Sequence, residues 1–295
     1  MFCRDNWLHF DFDGLPKRVK NEDMRVWFTE KADRVLPFHD AAIATAKEIA
    51  AQHNDIYVAM SGGCDSEYIA KAFLAAGVPF KAIMLTCRRY FRVGEWYADK
   101  WCADNGVELI KYDVEIEDFF AQGKRVSGIL RAISWLPAAM TMLADEVKRR
   151  GGQLTTGGYP AYHPDRKLTL LKAEPAFADS FKGFMLDEAD FYIEMMDPGY
   201  HPSNFFFYNV DMFASTIAHW DITQPNEENK WRMMELLPRP KQTGGEIFYA
   251  NNLANYVPEY REKTKWFFLH EQFGWGTRDF APLADQTELL KQIVK

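Results

Sequence analysis

Asp55-Ile56-Tyr57-Val58-Ala59-Met60 runs directly into Ser61-Gly62-Gly63-Cys64-Asp65-Ser66. The first six residues read as a buried strand, short, apolar and bounded by polar sequence. A helix is expected from about Ser66 to Ala76, closed by Gly77. Two adjacent glycines between strand and helix let the backbone turn tightly and approach a ligand closely. The unpaired amides at the helix start form an anion site, reinforced by the helix dipole. Ser61 and Ser66 add hydroxyls that can donate to phosphate oxygens. Asp65 is an odd residue for a phosphate loop, because a carboxylate repels phosphate. It makes sense if it holds a magnesium ion that bridges the phosphates.

Strands and helices alternate outward from this point. The spacing predicts a helix from about Phe38 to His53, a strand over Pro79–Thr86 and a helix over Gly94–Asn105 stopped by Gly106. A strand over Val107–Tyr112, a long helix from about Ser127 to Arg149 and a short strand Gln153–Thr156 follow. Such alternation implies an α/β fold, a parallel sheet with helices on both faces, and ligands bound at the carboxyl ends of the strands. The alternation is lost after about residue 160. Lys167–Lys172 reads as one further strand, and the rest as helical and aromatic. The expected organisation is an unclear N-terminal extension (1–35), a nucleotide-binding core (36–160) and a mainly helical C-terminal region (161–295) packed over the ligand edge.

Composition removes several classes. Of 295 residues, 47% are hydrophobic and 26% charged, an ordinary globular balance. Aromatics at 15% argue against disorder. A net charge of -7 makes nucleic acid an unexpected default partner, although a local basic patch is still allowed. No apolar run reaches the roughly 18 residues of a membrane span, and the first residues lack the order of a secretion signal. Cys3, Cys64, Cys87 and Cys102 form no C-x-x-C pair, which argues against a zinc knuckle or a dithiol site and suits a reducing cytoplasm. Cys64 reads as packing rather than catalysis.

Ser-Gly-Gly-x-Asp-Ser after a buried strand resembles the PP-loop of the N-type ATP pyrophosphatases. That superfamily includes asparagine synthetases, GMP synthetase, argininosuccinate synthetase, tRNA thiolation enzymes and the deazaguanine nitrile synthase. The resemblance implies a Rossmann-like core with ATP and Mg²⁺ as cofactors. It also implies cleavage of ATP between the α- and β-phosphates: a substrate oxygen becomes adenylylated, pyrophosphate leaves, and a nitrogen or sulfur nucleophile then displaces AMP. By that analogy Ser61, Gly62, Gly63, Asp65 and Ser66 hold the pyrophosphate end, Asp65 with its metal, and Leu85 and Thr86 lie near the adenosine. A Walker A loop is not completed by Gly123-Lys124-Arg125, and Gly274-Trp275-Gly276 is only a fragment of a dinucleotide fingerprint.

Two further segments are similar to asparagine synthetases. Asn229-Lys230-Trp231-Arg232 followed by Leu236-Leu237-Pro238-Arg239-Pro240-Lys241-Gln242 resembles the family's lysine and arginine before Leu-Pro and Arg-Pro-Lys-Gln-Gly. The spacer is shorter here, and Thr243 precedes Gly244-Gly245. Lys241 or Lys230 would supply positive charge to the leaving pyrophosphate; a charged turn is the plainer reading. Leu154-Thr155-Thr156-Gly157-Gly158-Tyr159 resembles the family's Thr-Gly-x-Gly segment, which places Gly157 at the nucleotide, but the acidic pair that follows in the family is missing. Tyr159 and Tyr162 either line an acceptor pocket or pack. Arg88-Arg89-Tyr90-Phe91-Arg92 and Lys124-Arg125 either contact phosphates or a tRNA backbone, or are solvated. Asp187, Glu188, Asp190 and Glu194 read as an acidic helical face, solvated in the plainer reading and metal-holding in the other.

Absences narrow the family. No cysteine follows Cys102, so the zinc cluster of the nitrile synthase is missing, and the cysteine set of thiolation enzymes lacks partners. Only about 50 residues precede the loop's strand, too few for a glutaminase. The expectation is an asparagine-synthetase-like, AMP-forming ligase acting on a small carboxylate or carbonyl substrate, with ammonia or an amine as donor. A PP-loop enzyme modifying a nucleotide or tRNA base, and a non-catalytic ATP- or AMP-binding module, stay open as alternatives.

Overall fold

The computed structural model describes residues 7–11, 25–86, 92–115, 118, 135–158, 160–168, 179–187, 202–236 and 280–295. In chain order its strands are β1 (Leu8–Asp11), β2 (Arg25–Phe28), β3 (Ile56–Ala59), β4 (Lys81–Thr86), β5 (Leu109–Asp113), β6 (Gln153–Thr156), β7 (Pro160–Leu168), β8 (Asp179–Asp187), β9 (Ser203–Asn204) and β10 (Phe280–Pro282). Its helices are α1 (Phe38–Gln52), α2 (Cys64–Ala75), α3 (Arg92–Asn105), α4 (Trp135–Arg149), α5 (Val210–His219), α6 (Asn226–Met233) and α7 (Gln286–Ile293).

β3, β4, β5, β6 and β9 form one parallel sheet in the order β5-β4-β3-β6-β9. The chain steps outward from β3 to β5, then crosses back to β6 on the other side of β3. The strand order therefore reverses at β3, the point where open α/β sheets bind ligands beyond the carboxyl ends of their strands. Right-handed crossovers put α2 and α3 on one face and α4 on the other. On the first face Met60, Ala82 and Met84 pack with Ala70 of α2 and Ala98, Trp101 and Cys102 of α3. The expected parallel α/β sheet, with its strands and helices in the expected order, is what the structure shows.

Small residues let α1 sit close to its neighbours: Ala41, Ala42, Thr45, Ala46 and Ile49 are all buried. A run of four aromatics after β9, Phe205 to Tyr208, is fully buried beneath α1 and α2. Phe205 packs on Phe73, and Phe206 stacks on Tyr68, with centroids 6.1 and 6.4 Å apart. Asn209 ends the run and caps α5: its Oδ1 accepts from Met212 N at 2.8 Å, and its Nδ2 donates to Thr45 Oγ1 and Glu48 Oε2.

The N-terminal extension contains an antiparallel hairpin, β1-β2. It is tied to the core by Trp7, whose Nε1 donates to Phe207 O at 3.2 Å. Beyond residue 160 the structure adds to the helical character a three-stranded antiparallel sheet, β10-β8-β7. The expected strand at Lys167 is the end of β7, which starts at Pro160. A register shift between His163 and Arg166 breaks the alternation that would have announced it. No helix among the described residues is long and apolar enough to cross a membrane.

Candidate functional site

The loop leaves β3 at its carboxyl end, at the switch point of the sheet. Gly62 has φ +76°, a conformation that side chains resist. A Cβ there would also run into the backbone carbonyl of Gly94, near the start of α3, and a Cβ on Gly94 would lie 2.5 Å from Ser61 O. Two glycines facing each other thus allow loop and helix to touch backbone to backbone.

The two hydroxyls of the loop hold its shape. Ser66 Oγ accepts from Ser61 N at 3.2 Å, lies 3.2 Å from Ser61 Oγ, and donates to Gly63 O at 3.0 Å. Ser61 Oγ accepts from Gly63 N. Gly63 is the N-cap of α2 and has no side chain to satisfy the first-turn amides. The amino end of α2 therefore keeps its capacity for an anion.

Asp65 lies in the first turn of α2, where its carboxylate complements the dipole. Its Oδ2 accepts from Lys230 Nζ at 2.9 Å; the two side chains are 27% and 17% exposed. Burial, the largest single effect, pushes the Lys230 ammonium down, but the Asp65 charge, the neighbouring Cys64, the hydrogen bond to Asp65 and the Glu227 charge together push it up by more, so its pKa is raised and the lysine stays charged. Cys64 points its Sγ at Asp65 Oδ1, 3.6 Å away. Burial first, and then the Asp65 charge, push its thiol up to about 12, so it is no nucleophile at neutral pH.

Lys230 is placed by its neighbour. Asn229 is fully buried; it accepts from Asp221 N and donates to Asp221 O and Gln224 O, tying the turn before α6 to the helix. Arg232 donates to His219 O and Asn229 Oδ1. Of the Asn229–Arg232 segment, one residue reaches the loop and two hold that residue in place.

Gly157 follows β6 directly and is packed against the same helix. A Cβ there would lie 2.6 Å from Ile69 Cδ1, 3.6 Å from Phe206 and 3.8 Å from Asp65 Cβ. Thr86, at the carboxyl end of β4, donates to Asp113 Oδ1 at 3.1 Å, and Leu85 beside it is buried. The structure thus gathers Ser61, Gly62, Gly63, Asp65, Ser66, Gly157 and Lys230 around the start of α2, with Leu85 and Thr86 on the next strand's end. Tyr162 is buried on β7 and packs edge-on against Phe184. Asp187, expected on a helical face, is instead the last residue of β8; Lys241, Arg88 to Phe91, Lys124, Arg125, Tyr159, Glu188, Asp190, Glu194 and Gly274 to Gly276 lie outside the described residues.

Sequence reasoning found the end of β6 as a segment but missed Gly94, the strand β9 and the pairing of Thr156 with it. Thr156 and Asn204 are direct partners across those strands. Both are buried, at 2% and 0% exposure, and Thr156 Oγ1, Asn204 Oδ1 and Asn204 Nδ2 have no hydrogen-bond partner. The signal that could have found them is the run of small polar residues, Thr155-Thr156 before a glycine pair and Ser203-Asn204 before an aromatic run.

No protein-family model and no curated protein sequence matches the chain. Among solved structures it is similar to NMN synthetase from Francisella tularensis, at 8% identity and a TM-score of 0.35, over 78% of this chain and 96% of that one. It is similar also to a glutamine-dependent NAD+ synthetase from Acinetobacter baumannii in complex with ADP, at 11% identity and a TM-score of 0.35, over 89% of this chain and 53% of that one. The chain thus spans about half the length of that NAD+ synthetase.

Proposed function

We propose that this chain is an ATP-dependent ligase that forms AMP and pyrophosphate, with a PP-loop at residues 61–66. The observation that carries the reading is the meeting of Asp65 and Lys230 at the start of α2, beside a two-glycine turn at the sheet's switch point. One carboxylate and one cation face an amide-rich helix start, which suits a polyphosphate carrying a metal.

In this reading the amide of Gly62 and the first-turn amides of α2 hold the pyrophosphate end, and the Gly63 amide and the Ser61 and Ser66 hydroxyls exchange their bonds within the loop for phosphate oxygens. Leu85 and Thr86 lie against the adenosine, and Gly157, with no Cβ to collide with Ile69, lets the end of β6 close on the loop. A carboxylate or carbonyl oxygen of a small substrate attacks the α-phosphorus, and the bond from the α-phosphorus to the bridging oxygen breaks. Lys230, with Lys241 as a second cation, balances the charge on the departing pyrophosphate. A nitrogen nucleophile, ammonia or an amine, then attacks the activated carbon, and AMP leaves with the substrate oxygen. The acceptor chemistry is asparagine-synthetase-like in type.

Magnesium fits the residues present. It commonly takes one or two carboxylates and completes its shell with phosphates and water. Asp65 supplies one carboxylate, and no group of three metal-binding side chains occurs among the described residues, so the ion would be shared with the nucleotide. When bound it would supply positive charge that stabilises the departing pyrophosphate.

The test is chromatography of nucleotide products after incubating the chain with ATP, magnesium, ammonium and a panel of carboxylates, carboxamides and pyrimidines. AMP and pyrophosphate in equal amounts are expected, falling about 100- to 1000-fold in Asp65→Ala. An ADP signal that scales with the protein overturns the reaction class. ATP binding with no AMP from any acceptor favours a non-catalytic nucleotide module.

A further inference from the structure

The buried polar groups of this core are mostly satisfied from within. Thr45 donates to Ala41 O, Ser215 to Leu36 O and Thr216 to Met212 O, and Gln153 donates to Ser203 Oγ. Thr156 and Asn204 depart from that pattern together. Their three polar side-chain atoms are unpartnered, in two residues that face each other across β6 and β9. Thr155 Oγ1 is also unpartnered, but strand alternation puts it on the opposite face of the sheet. His53 Nε2 is unpartnered too, away from this edge at the end of α1. Buried polar atoms are paired in all but a few cases, so adjacent orphans call for a partner that the chain itself does not supply.

Their place says where that partner belongs. Thr156 and Asn204 are the last residues of their strands, at the carboxyl edge. Thr156 is followed by Gly157, which abuts Asp65 and Ile69, and Asn204 lies two residues before Phe206, which also abuts Gly157. The pair thus sits on the far side of the loop from Leu85 and Thr86. If those hold the adenosine, the β6–β9 edge is left for the substrate that receives the adenylyl group.

We propose that Thr156 and Asn204 form an acceptor subsite for a neutral amide edge, a carbonyl and an N–H side by side, as in a primary carboxamide, a lactam or a pyrimidine. Asn204 presents one donor group and one acceptor in a plane, and such an edge returns an acceptor and a donor in the same plane. Thr156 can donate or accept, so it satisfies the edge's remaining lone pair or proton. A carboxylate has acceptors only and would set an oxygen against Asn204 Oδ1. Neither residue carries a charge that would favour an anion. The assignment to an acceptor rests on the PP-loop reading; the amide selectivity rests on Thr156 and Asn204 alone.

Calorimetric titration of the full chain tests it, with benzamide, uracil and glutamine as amide probes and benzoate and glutamate as their acid counterparts. Saturable binding of at least one amide probe is expected, at least tenfold tighter than its acid counterpart or, for uracil, than both acids. Thr156→Val and Asn204→Leu should each weaken it tenfold or more. No saturable amide binding, equal binding of acids, or binding unchanged in the variants overturns the proposal. Should Asn204→Leu fail to fold, the near-isosteric Thr156→Val decides. ATP with magnesium is titrated separately into the unaltered chain. ATP binding without amide binding overturns the subsite alone. Amide binding without ATP binding overturns the PP-loop reading and leaves an amide site.

Discussion

Lys230 Nζ sits 2.9 Å from Asp65 Oδ2, joining residues 165 positions apart in the chain. The contact brings α6 onto the first turn of α2, so the cation arrives at the loop through tertiary packing. Each charge is partly withdrawn from water, and each is the other's compensation.

Lys230→Met should therefore be costly in two ways. Leaving Asp65 partly buried without its partner should destabilise the fold by about 1–3 kcal/mol. Urea denaturation measures that, and a double-mutant cycle with Asp65→Asn should show strong coupling between the two. Pyrophosphate release should fall about 100-fold or more, with ATP affinity affected less, because the charge it meets develops in the transition state. Full activity in a folded Lys230→Met protein would remove the lysine from the reaction.

The pairing also sets a pH limit. The Lys230 pKa is raised above its usual 10.5, so its stabilising contribution is complete below about pH 10 and is lost as pH rises through the folded value. Unfolding scans at pH 9, 10 and 11 should show a steeper alkaline decline in the unaltered chain than in Lys230→Met.

Gly62→Ala should destabilise by about 2–4 kcal/mol, combining the left-handed backbone penalty with a collision against the fixed carbonyl of Gly94. Gly77→Ala is the control: it shares the positive φ, but nothing lies near its absent Cβ. Equal urea midpoints for the two variants would show that loop and α3 are not in backbone contact.

Glu146, 7% exposed on its side chain, accepts from Arg149 Nε and from Arg150 Nε at 2.8 and 2.7 Å. The hydrogen bond from Arg149 foremost, against the opposing effect of burial, holds its carboxyl below the usual 4.5. A depressed carboxylate stabilises above its unfolded pKa and loses that contribution as pH falls through the folded one. Glu146→Gln should cost about 1–2 kcal/mol at pH 7 and flatten the loss of stability from about pH 5 to 3.

Thr156→Val, studied without ligand, should raise stability by about 1 kcal/mol, since it removes a buried hydroxyl that has no partner. A drop in the urea midpoint would mean that the hydroxyl is already satisfied.

The sequence by itself determined the core. Ile56 to Ala59, Lys81 to Thr86 and the Ala-rich α1 carry periodicities that only a buried strand or a packed helix satisfies, and Ser61 to Ser66 sits between strand and helix where a loop can meet an anion. These are local signals, read over a few residues. The β7–β8 pairing was less legible because β7 shifts register between His163 and Arg166 and β8 runs through Gly183 into consecutive apolar residues, so neither strand alternates cleanly. Only the tertiary structure decided that Gly94 faces Gly62, that Lys230 rather than a nearer cation meets Asp65, and that Thr156 stands opposite Asn204. Each is a contact between residues distant in the chain. Such pairings are set by strand order and helix packing, which depend on how the whole apolar surface is buried, and no short window of sequence contains that information.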